Sequence, residues 1–226
     1  MSANKKVERP GVREGYDLWA TSYDSTPNPL VALDRRYTMD VLSPGRGEAI
    51  LDAACGTGQN LKAISLAGSK ALGVDLSRGM LQAARAKLPG VPLVQTDLDR
   101  ELPFRQGAFD AILCALVGEH LTRLRVFFRG AAAALKPGGR LVFSVFHPEM
   151  AAAGVESNFE RAGVEYRLGA QRHTASDYLS AIAECGFDAV NTQEFRGDEA
   201  LAREIPWAVK YVGRPLLLVI EGRRKG

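Results

Sequence analysis

Between residues 48 and 147, five short apolar runs alternate with helical patterns, and this rhythm limits the fold more than any other feature. The runs are EAILDAA (48–54), KALGVDL (70–76), VPLVQTD (91–97), FDAILCAL (109–116) and RLVFSVF (140–146), each bounded by turn residues. Their apolar residues are consecutive rather than alternating, so both faces of each strand must be covered. Between them the sequence predicts helices at Asn60–Ala67, at Ser77–Leu88 with Ser77 as N-cap and Pro89-Gly90 as stop, and at Leu121–Leu135 ahead of KPGG. Buried strands separated by helices predict a parallel sheet with right-handed crossovers, a doubly wound α/β fold.

Two regions stand outside that rhythm. Residues 11–43 read as helices in front of the sheet, broken around Pro27 and Pro29, while residues 148–172 carry charge and glycine without clear periodicity. A helix resumes at Thr174–Cys185, with Thr174 as cap and Gly186 as stop. Two final strands follow, Phe187–Phe195 and Pro215–Glu221, joined through Arg196–Gly213 without a second long helix, which predicts an antiparallel edge. A chain of 226 residues, 46% apolar, is expected to form one domain with its own core. Its parts are then an N-terminal helical cap (1–43), a central core (44–147), the aperiodic segment (148–172) and a C-terminal helix with a strand hairpin (173–226).

Charge and cysteine usage exclude several classes of function. The net charge of +3 gathers at the ends, in Lys5, Lys6, Arg223, Arg224 and Lys225, with no basic stripe interleaved with aromatics. That distribution predicts solubility rather than nucleic-acid binding. Cys55, Cys114 and Cys185 lie far apart without a C-x-x-C pair, so free thiols in a reducing compartment are expected. The polar start is not a signal peptide, and the longest apolar runs are too short to cross a membrane, giving the expectation of a soluble cytoplasmic protein without a membrane partner. Three scattered histidines without H-x-x-x-H spacing predict no metal site.

The chemistry concentrates in ILDAACGTGQNL (50–61), a strand, a glycine turn and a helix start. Gly56 and Gly58 allow a sharp turn and a close ligand, in the crevice that open parallel sheets form at the carboxyl ends of their strands. A nicotinamide dinucleotide turn, G-x-G-x-x-G, would need glycine where Leu61 stands, and a phosphate-binding G-x-x-x-x-G-K-[ST] is absent. Asp52 beside the turn would repel a pyrophosphate and suits an ammonium group. Asp75 ends the second run, where a carboxylate accepts ribose hydroxyls. Asp97 ends the third, in reach of an adenine amino group. Singly each acid reads as a cap or a solvated turn residue; together, around one glycine turn, they read as one ligand site.

These residues resemble the class I S-adenosylmethionine (SAM)-dependent methyltransferases. LDAACGTG is similar to the family's first motif, with Asp52, Gly56 and Gly58 in register and Ala54 where the first glycine usually stands. GVDLS resembles the second motif, TDLDRELPF the third, FDAILCALVGEHL the fourth, and LKPGGRLVFSVFHPEM the turn and strand that follow. GYDLWATSYD resembles the entrance helix of the small-molecule methyltransferases of ubiquinone and menaquinone biosynthesis, and RPLLLVIEGRR the family's closing hairpin. The resemblance implies a Rossmann-like seven-stranded sheet ordered 3-2-1-4-5-7-6 with strand 7 antiparallel, and SAM as cofactor. It places Gly56, Gly58 and Asp52 at the methionine part, Asp75, Leu76 and Met80 at the ribose and adenine, Asp97 and Leu98 at the adenine, and Cys114, Ala115 and Leu116 near the sulfonium. Tyr16, Trp19 and Tyr23 would cover the cofactor.

Methyl transfer needs a nucleophile held in line with the methyl and protected from water, and a general base only for a poorly ionised acceptor. His147, at the end of the fifth run, is the catalytic candidate, against a structural role steering the chain into Pro148; His120 and His173 read as capping or packing residues. Residues 148–172, with Phe159, Glu165, Tyr166 and Arg167, are expected to form a lid over a small-molecule acceptor. Glu149 joins Glu165, Tyr166 and Arg167 as a candidate for the acceptor pocket. Cys114-Ala115-Leu116-Val117 lacks the Asn/Asp-Pro-Pro-aromatic pattern of DNA amino-methyltransferases. The alternatives are a non-catalytic SAM-binding scaffold, a nucleic-acid or protein methyltransferase, and a nicotinamide oxidoreductase, the last disfavoured by Leu61 and Asp52.

Overall fold

The described chain enters through a short strand, β1 (Lys6–Glu8), and two helices, α1 (Val12–Trp19) and α2 (Pro29–Leu42). The computed structural model describes residues 6–226; residues 1–5, which begin the expected N-terminal cap and include Lys5, lie outside the described residues. Pro29 starts α2 rather than merely breaking the chain. Asn28 caps the helix, its side chain accepting from the N–H groups of Leu30 and Val31 (3.0 and 3.3 Å), and proline at the first helical position forfeits no bond.

The predicted rhythm then appears as β2 (Ala49–Ala53), α3 (Gln59–Leu66), β3 (Lys70–Asp75), α4 (Arg78–Lys87), β4 (Leu93–Gln95), β5 (Phe109–Ala115), α5 (Leu124–Ala134) and β6 (Leu135–Phe146). After β6 come α6 (Pro148–Ala152), β7 (Asn158–Arg161), β8 (Val164–Arg167), α7 (Ala175–Glu184), β9 (Phe187–Arg196), α8 (Glu199–Glu204) and β10 (Pro215–Arg224). Seven strands form one sheet in the order β4-β3-β2-β5-β6-β10-β9. β2 to β6 are parallel, and β10 runs antiparallel to both β6 and β9. Numbered within this sheet, that is the expected order 3-2-1-4-5-7-6 with the seventh strand reversed.

Successive strand residues feed two separate cores. Leu51 and Ala53, Ile112 and Cys114, Phe143 and Val145 pack with Phe127 and Phe128 of α5 and Tyr178 and Ile182 of α7. Ile50, Ala111, Leu113 and Val142 pack on the other face with Leu33 of α2, Ile64 of α3 and Leu201 of α8. Burial on both faces is why these strands read as apolar runs.

Three details differ from the sequence expectation. The third run forms only Leu93–Gln95, so Asp97 sits beyond the strand in a loop. The helix expected from Leu121 begins at Leu124, because Asp99 accepts the N–H groups of Thr122 (2.9 Å) and Arg123 (2.8 Å), and a 3-10 turn occupies Gly118–His120. Residues 148–172 are structured: α6 leads into the β7–β8 hairpin, and β1 adds to β8 in a second, three-stranded sheet. Among the described residues, no helix is long and apolar enough to cross a membrane.

Candidate functional site

The carboxyl ends of β2, β3 and β5 surround a cavity of about 320 Å³, roofed by residues of α1, α2 and the turn between them. Its floor is the turn after β2. The N–H groups of Ala54 and Cys55 both reach the Val74 carbonyl (2.9 and 2.8 Å), and that of Gly56 reaches Asp75 Oδ2 (2.8 Å). These bonds hold Ala54 at φ +73° and Gly56 at φ +52°. Leu116, at the end of β5, is likewise left-handed at φ +54°, fixed by its N–H on the Ser144 carbonyl (2.8 Å). Alanine and leucine in that region cost about 1–2 kcal/mol each, and both line the cavity.

The acids divide by surroundings. Asp75 accepts from Gly56 and from the Ser77 N–H (2.8 Å), yet burial pushes its carboxyl up to about 6. Each oxygen retains a lone pair for a further donor. Asp52 lies within β2, wholly buried, with neither oxygen hydrogen-bonded. Burial, reinforced by the charges of Asp75 and Asp34, raises it to about 8. A buried carboxyl without a partner is costly, and a cation or donor brought to the floor would relieve it. Asp97 lines the cavity with Leu98, its Oδ1 accepting from the Asp99 N–H (3.0 Å).

The structure sorts the predicted residues. Tyr16, Tyr23, Ala54, Gly56, Asp75, Leu76, Met80, Asp97, Leu98, Ala115 and Leu116 all line this one cavity. Four do not. Trp19 stands behind Tyr16 and Tyr23 and stacks on Phe159 (centroids 4.8 Å apart, 14° between planes). Cys114 points into the α5 core, because consecutive strand residues take opposite faces. Gly58 serves packing: it caps α3 at φ +83°, and a Cβ there would meet Ala84 and Leu88 of α4 at 3.2 Å. Asp52 is sealed beneath the floor rather than exposed in it.

His147 is corrected too. It lines none of the cavities described here. Its backbone N–H bonds the Leu216 carbonyl (2.8 Å), its Nδ1 accepts from the Glu149 N–H (3.3 Å) as cap of α6, and its Nε2 faces Glu194 at 3.5 Å. The structural alternative describes it, since strand pairing with β10 turns it toward the sheet edge. Of the other candidates, His173 bonds the Leu121 carbonyl (2.7 Å) through Nε2, and Glu149, Glu165, Tyr166 and Arg167 line no cavity described here. Cys55 is buried but lines the floor.

His120, read from the sequence as a capping or packing residue, lines the cavity and shares a hydrogen bond between Nε2 and the Tyr16 hydroxyl (3.0 Å). Burial lowers its pKa to about 4, so its imidazole is neutral, and burial raises Tyr16 well above the ordinary phenol range. Thr57, Gln59 and Asn60 were signalled by their place in the glycine turn; Val31, Asp34 and Arg35 of α2 had no local signal. Asp34 is buried and raised by that burial, with Oδ1 accepting from Thr38 (2.5 Å) and Ser144 (2.6 Å).

Residues 51–143 match the model of a methyltransferase domain family. A demethylmenaquinone methyltransferase of Tropheryma whipplei is 34% identical over 143 residues, covering 61% of this chain and 60% of that protein. The chain thus spans about three fifths of the length of that relative. An uncharacterised methyltransferase of Emericella nidulans is 27% identical over 231 residues, covering 84% of this chain and 80% of its own. Among solved structures, an S-adenosylmethionine-dependent methyltransferase from Mesorhizobium loti superposes with a TM-score of 0.72 at 27% identity, covering 84% of this chain and 97% of that one.

Proposed function

From a chain that belongs to the class I SAM-dependent methyltransferases, we propose an enzyme that binds SAM in the cavity at the carboxyl ends of β2, β3 and β5 and transfers its methyl group to a small molecule. The observation that carries this reading is the pairing of an orphaned, buried Asp52 with Asp75 around the strained Ala54–Gly56 turn. Bound there, SAM supplies an electrophilic methyl on a sulfonium. Asp52, beneath the floor, favours the positive charge of the amino-acid end. Asp75 accepts the ribose hydroxyls with its remaining lone pairs, and Asp97 and the Leu98 backbone take the adenine. Leu76 and Met80 supply apolar contact beside them. Tyr16 and Tyr23, backed by Trp19, exclude water from the reacting end. Ala115 and Leu116 border that end, and neutral His120, held by Tyr16, stands on the same wall.

The acceptor is the finer part of the proposal. The name of the Tropheryma relative supports a quinone-type aromatic. The β7–β8 hairpin, whose Phe159 stacks on Trp19, acts as the wall or lid on the acceptor side, within a single methyltransferase domain. Calorimetric titration tests the cofactor assignment. SAM and its demethylated product are expected to bind and NAD is not; NAD binding without SAM binding overturns the reading.

A further inference from the structure

A second cavity, of about 390 Å³, lies behind the aromatic wall of the first. Trp19, Phe146, Phe159, Trp207 and Leu216 give it one apolar, largely aromatic side, and Thr26, Asn28, Ser157 and Asn158 add polar groups. Three carboxyls line it, those of Glu119, Glu156 and Glu160; Glu119 is the buried one, 4% exposed, and its Oε2 has no hydrogen-bond partner. Apart from the Ser157 hydroxyl beside it, the groups nearest in charge are the phenols of Tyr16, Tyr23 and Tyr178, none of which neutralises a carboxylate. Among the described residues, no lysine or arginine lines the cavity, and the Glu156 carboxylate at its rim is tied to Arg9 at 3.0 Å.

An unpartnered buried carboxyl oxygen destabilises the empty fold, a cost that leucine at that position would remove. Beside the aromatic side of the cavity, the buried Oε2 atom is suited to accepting a hydrogen from a molecule that fills it. We propose that this cavity binds an aromatic molecule carrying an O–H or N–H donor, which it places on Glu119 Oε2, and that it refuses the corresponding carboxylate. Glu119 precedes His120, which lines the first cavity, so one 3-10 turn serves both spaces. Identifying the bound aromatic as the methyl acceptor rests on the methyl-transfer reading; the binding itself does not.

Both tryptophans of the chain, Trp19 and Trp207, line the cavity, so intrinsic fluorescence reports its filling. The full chain is titrated without cofactor with 4-butylphenol, 4-butylbenzylamine and 4-butylbenzoate. The phenol or the amine is expected to bind at least about tenfold more tightly than the benzoate, the size of one hydrogen bond gained against one repulsion. The tighter of the two donors shows whether the natural group is a hydroxyl or an ammonium. Glu119→Leu is expected to erase that preference, to leave SAM affinity within about twofold, and to raise the unfolding free energy, which a structural role for the carboxyl would lower. Should the leucine variant fail to fold, Glu119→Gln replaces it and is expected to narrow the preference at least about threefold. Equal binding of all three probes, or a preference that survives in the variants, overturns the proposal. SAM titration of the same samples fails separately, because its anchors lie in the other cavity.

Discussion

Asp52→Asn is the substitution whose effect is best determined by the structure. The wild-type carboxyl titrates near 3.8 when exposed and near about 8 in the fold, chiefly through burial, with the charges of Asp75 and Asp34 adding to it. The folded state therefore holds a proton that the unfolded chain has released, so stability falls as pH rises through that interval. Each unit of pKa difference is about 1.36 kcal/mol, which places the penalty in the ligand-free protein at about 4 kcal/mol near pH 7, rising until the pH passes the folded value. Asparagine keeps the shape and carries no ionisation. The variant is expected to match the wild type near pH 4 and to exceed its unfolding free energy by about 2–4 kcal/mol near neutrality, the lower figure allowing for the unpaired N–H groups that the buried amide brings. Urea unfolding across that pH range measures the difference. The same variant is expected to bind SAM more weakly, because the orphaned oxygens that destabilise the empty fold are those that favour a cation. Parallel stability curves for the two proteins would refute the reasoning, as would an asparagine variant less stable throughout.

Three further outcomes are expected. Asp75→Ala weakens SAM binding by about 2–4 kcal/mol in calorimetry, the scale of losing charge-assisted bonds and leaving their partners unpaired; unchanged affinity would remove Asp75 from the ribose. Ala54→Gly raises the unfolding free energy by about 0.5–1 kcal/mol, read as a higher urea midpoint, after the gain in unfolded-chain entropy offsets part of the relieved strain at φ +73°; a lower midpoint would deny that strain. His147→Ala lowers stability by about 1 kcal/mol through the lost cap of α6 and leaves SAM affinity unaltered; a substantial loss of affinity would return His147 to the site.

The sheet and the floor of the first cavity were legible because their signals are local. Residues 49–53 declare a strand by their apolar run, and the Gly56 turn and Asp75 follow within the next strand and helix. Even the reversed last strand followed from the lack of a long helix between residues 196 and 213, where the structure has only the short α8 and a 3-10 turn. The roof was less legible. Val31, Asp34 and Arg35 of α2 reach the cavity from a helix that precedes the first strand of the large sheet, and their sequence shows only an ordinary amphipathic helix. The choice between His147 and His120 failed for a geometric reason. A strand end is visible in sequence, but the direction in which the chain leaves it depends on a partner, here Leu216 of β10, 69 positions onward. The β7–β8 hairpin escaped notice because four-residue strands are too short to establish a period of two.

The two ends of the large sheet treat buried charge in opposite ways. At the amino end of β6's paired region, Arg140 is fully engaged. Its guanidinium meets both Glu48 oxygens (2.8 and 2.6 Å) and the carbonyls of Leu42 and Ser43 (2.7 and 3.1 Å), joining α2, β2 and β6. Every buried side-chain polar atom left without a partner among the described residues belongs to Asp52, Glu119 or His147, within or just after β2, β5 and β6. The strained Ala54 and Leu116 lie at that same end. Packing alone would select against the orphaned Asp52 and Glu119 oxygens and the strained Ala54 and Leu116, and their clustering on one side of the sheet supports the proposed site there. Substitutions should divide accordingly. Removing Arg140 takes the counter-charge from Glu48, leaving it only the Gly45 N–H, strips two carbonyls of their donor and destabilises the fold, whereas neutralising Asp52 or Glu119 is expected to stabilise the empty protein and weaken ligand binding.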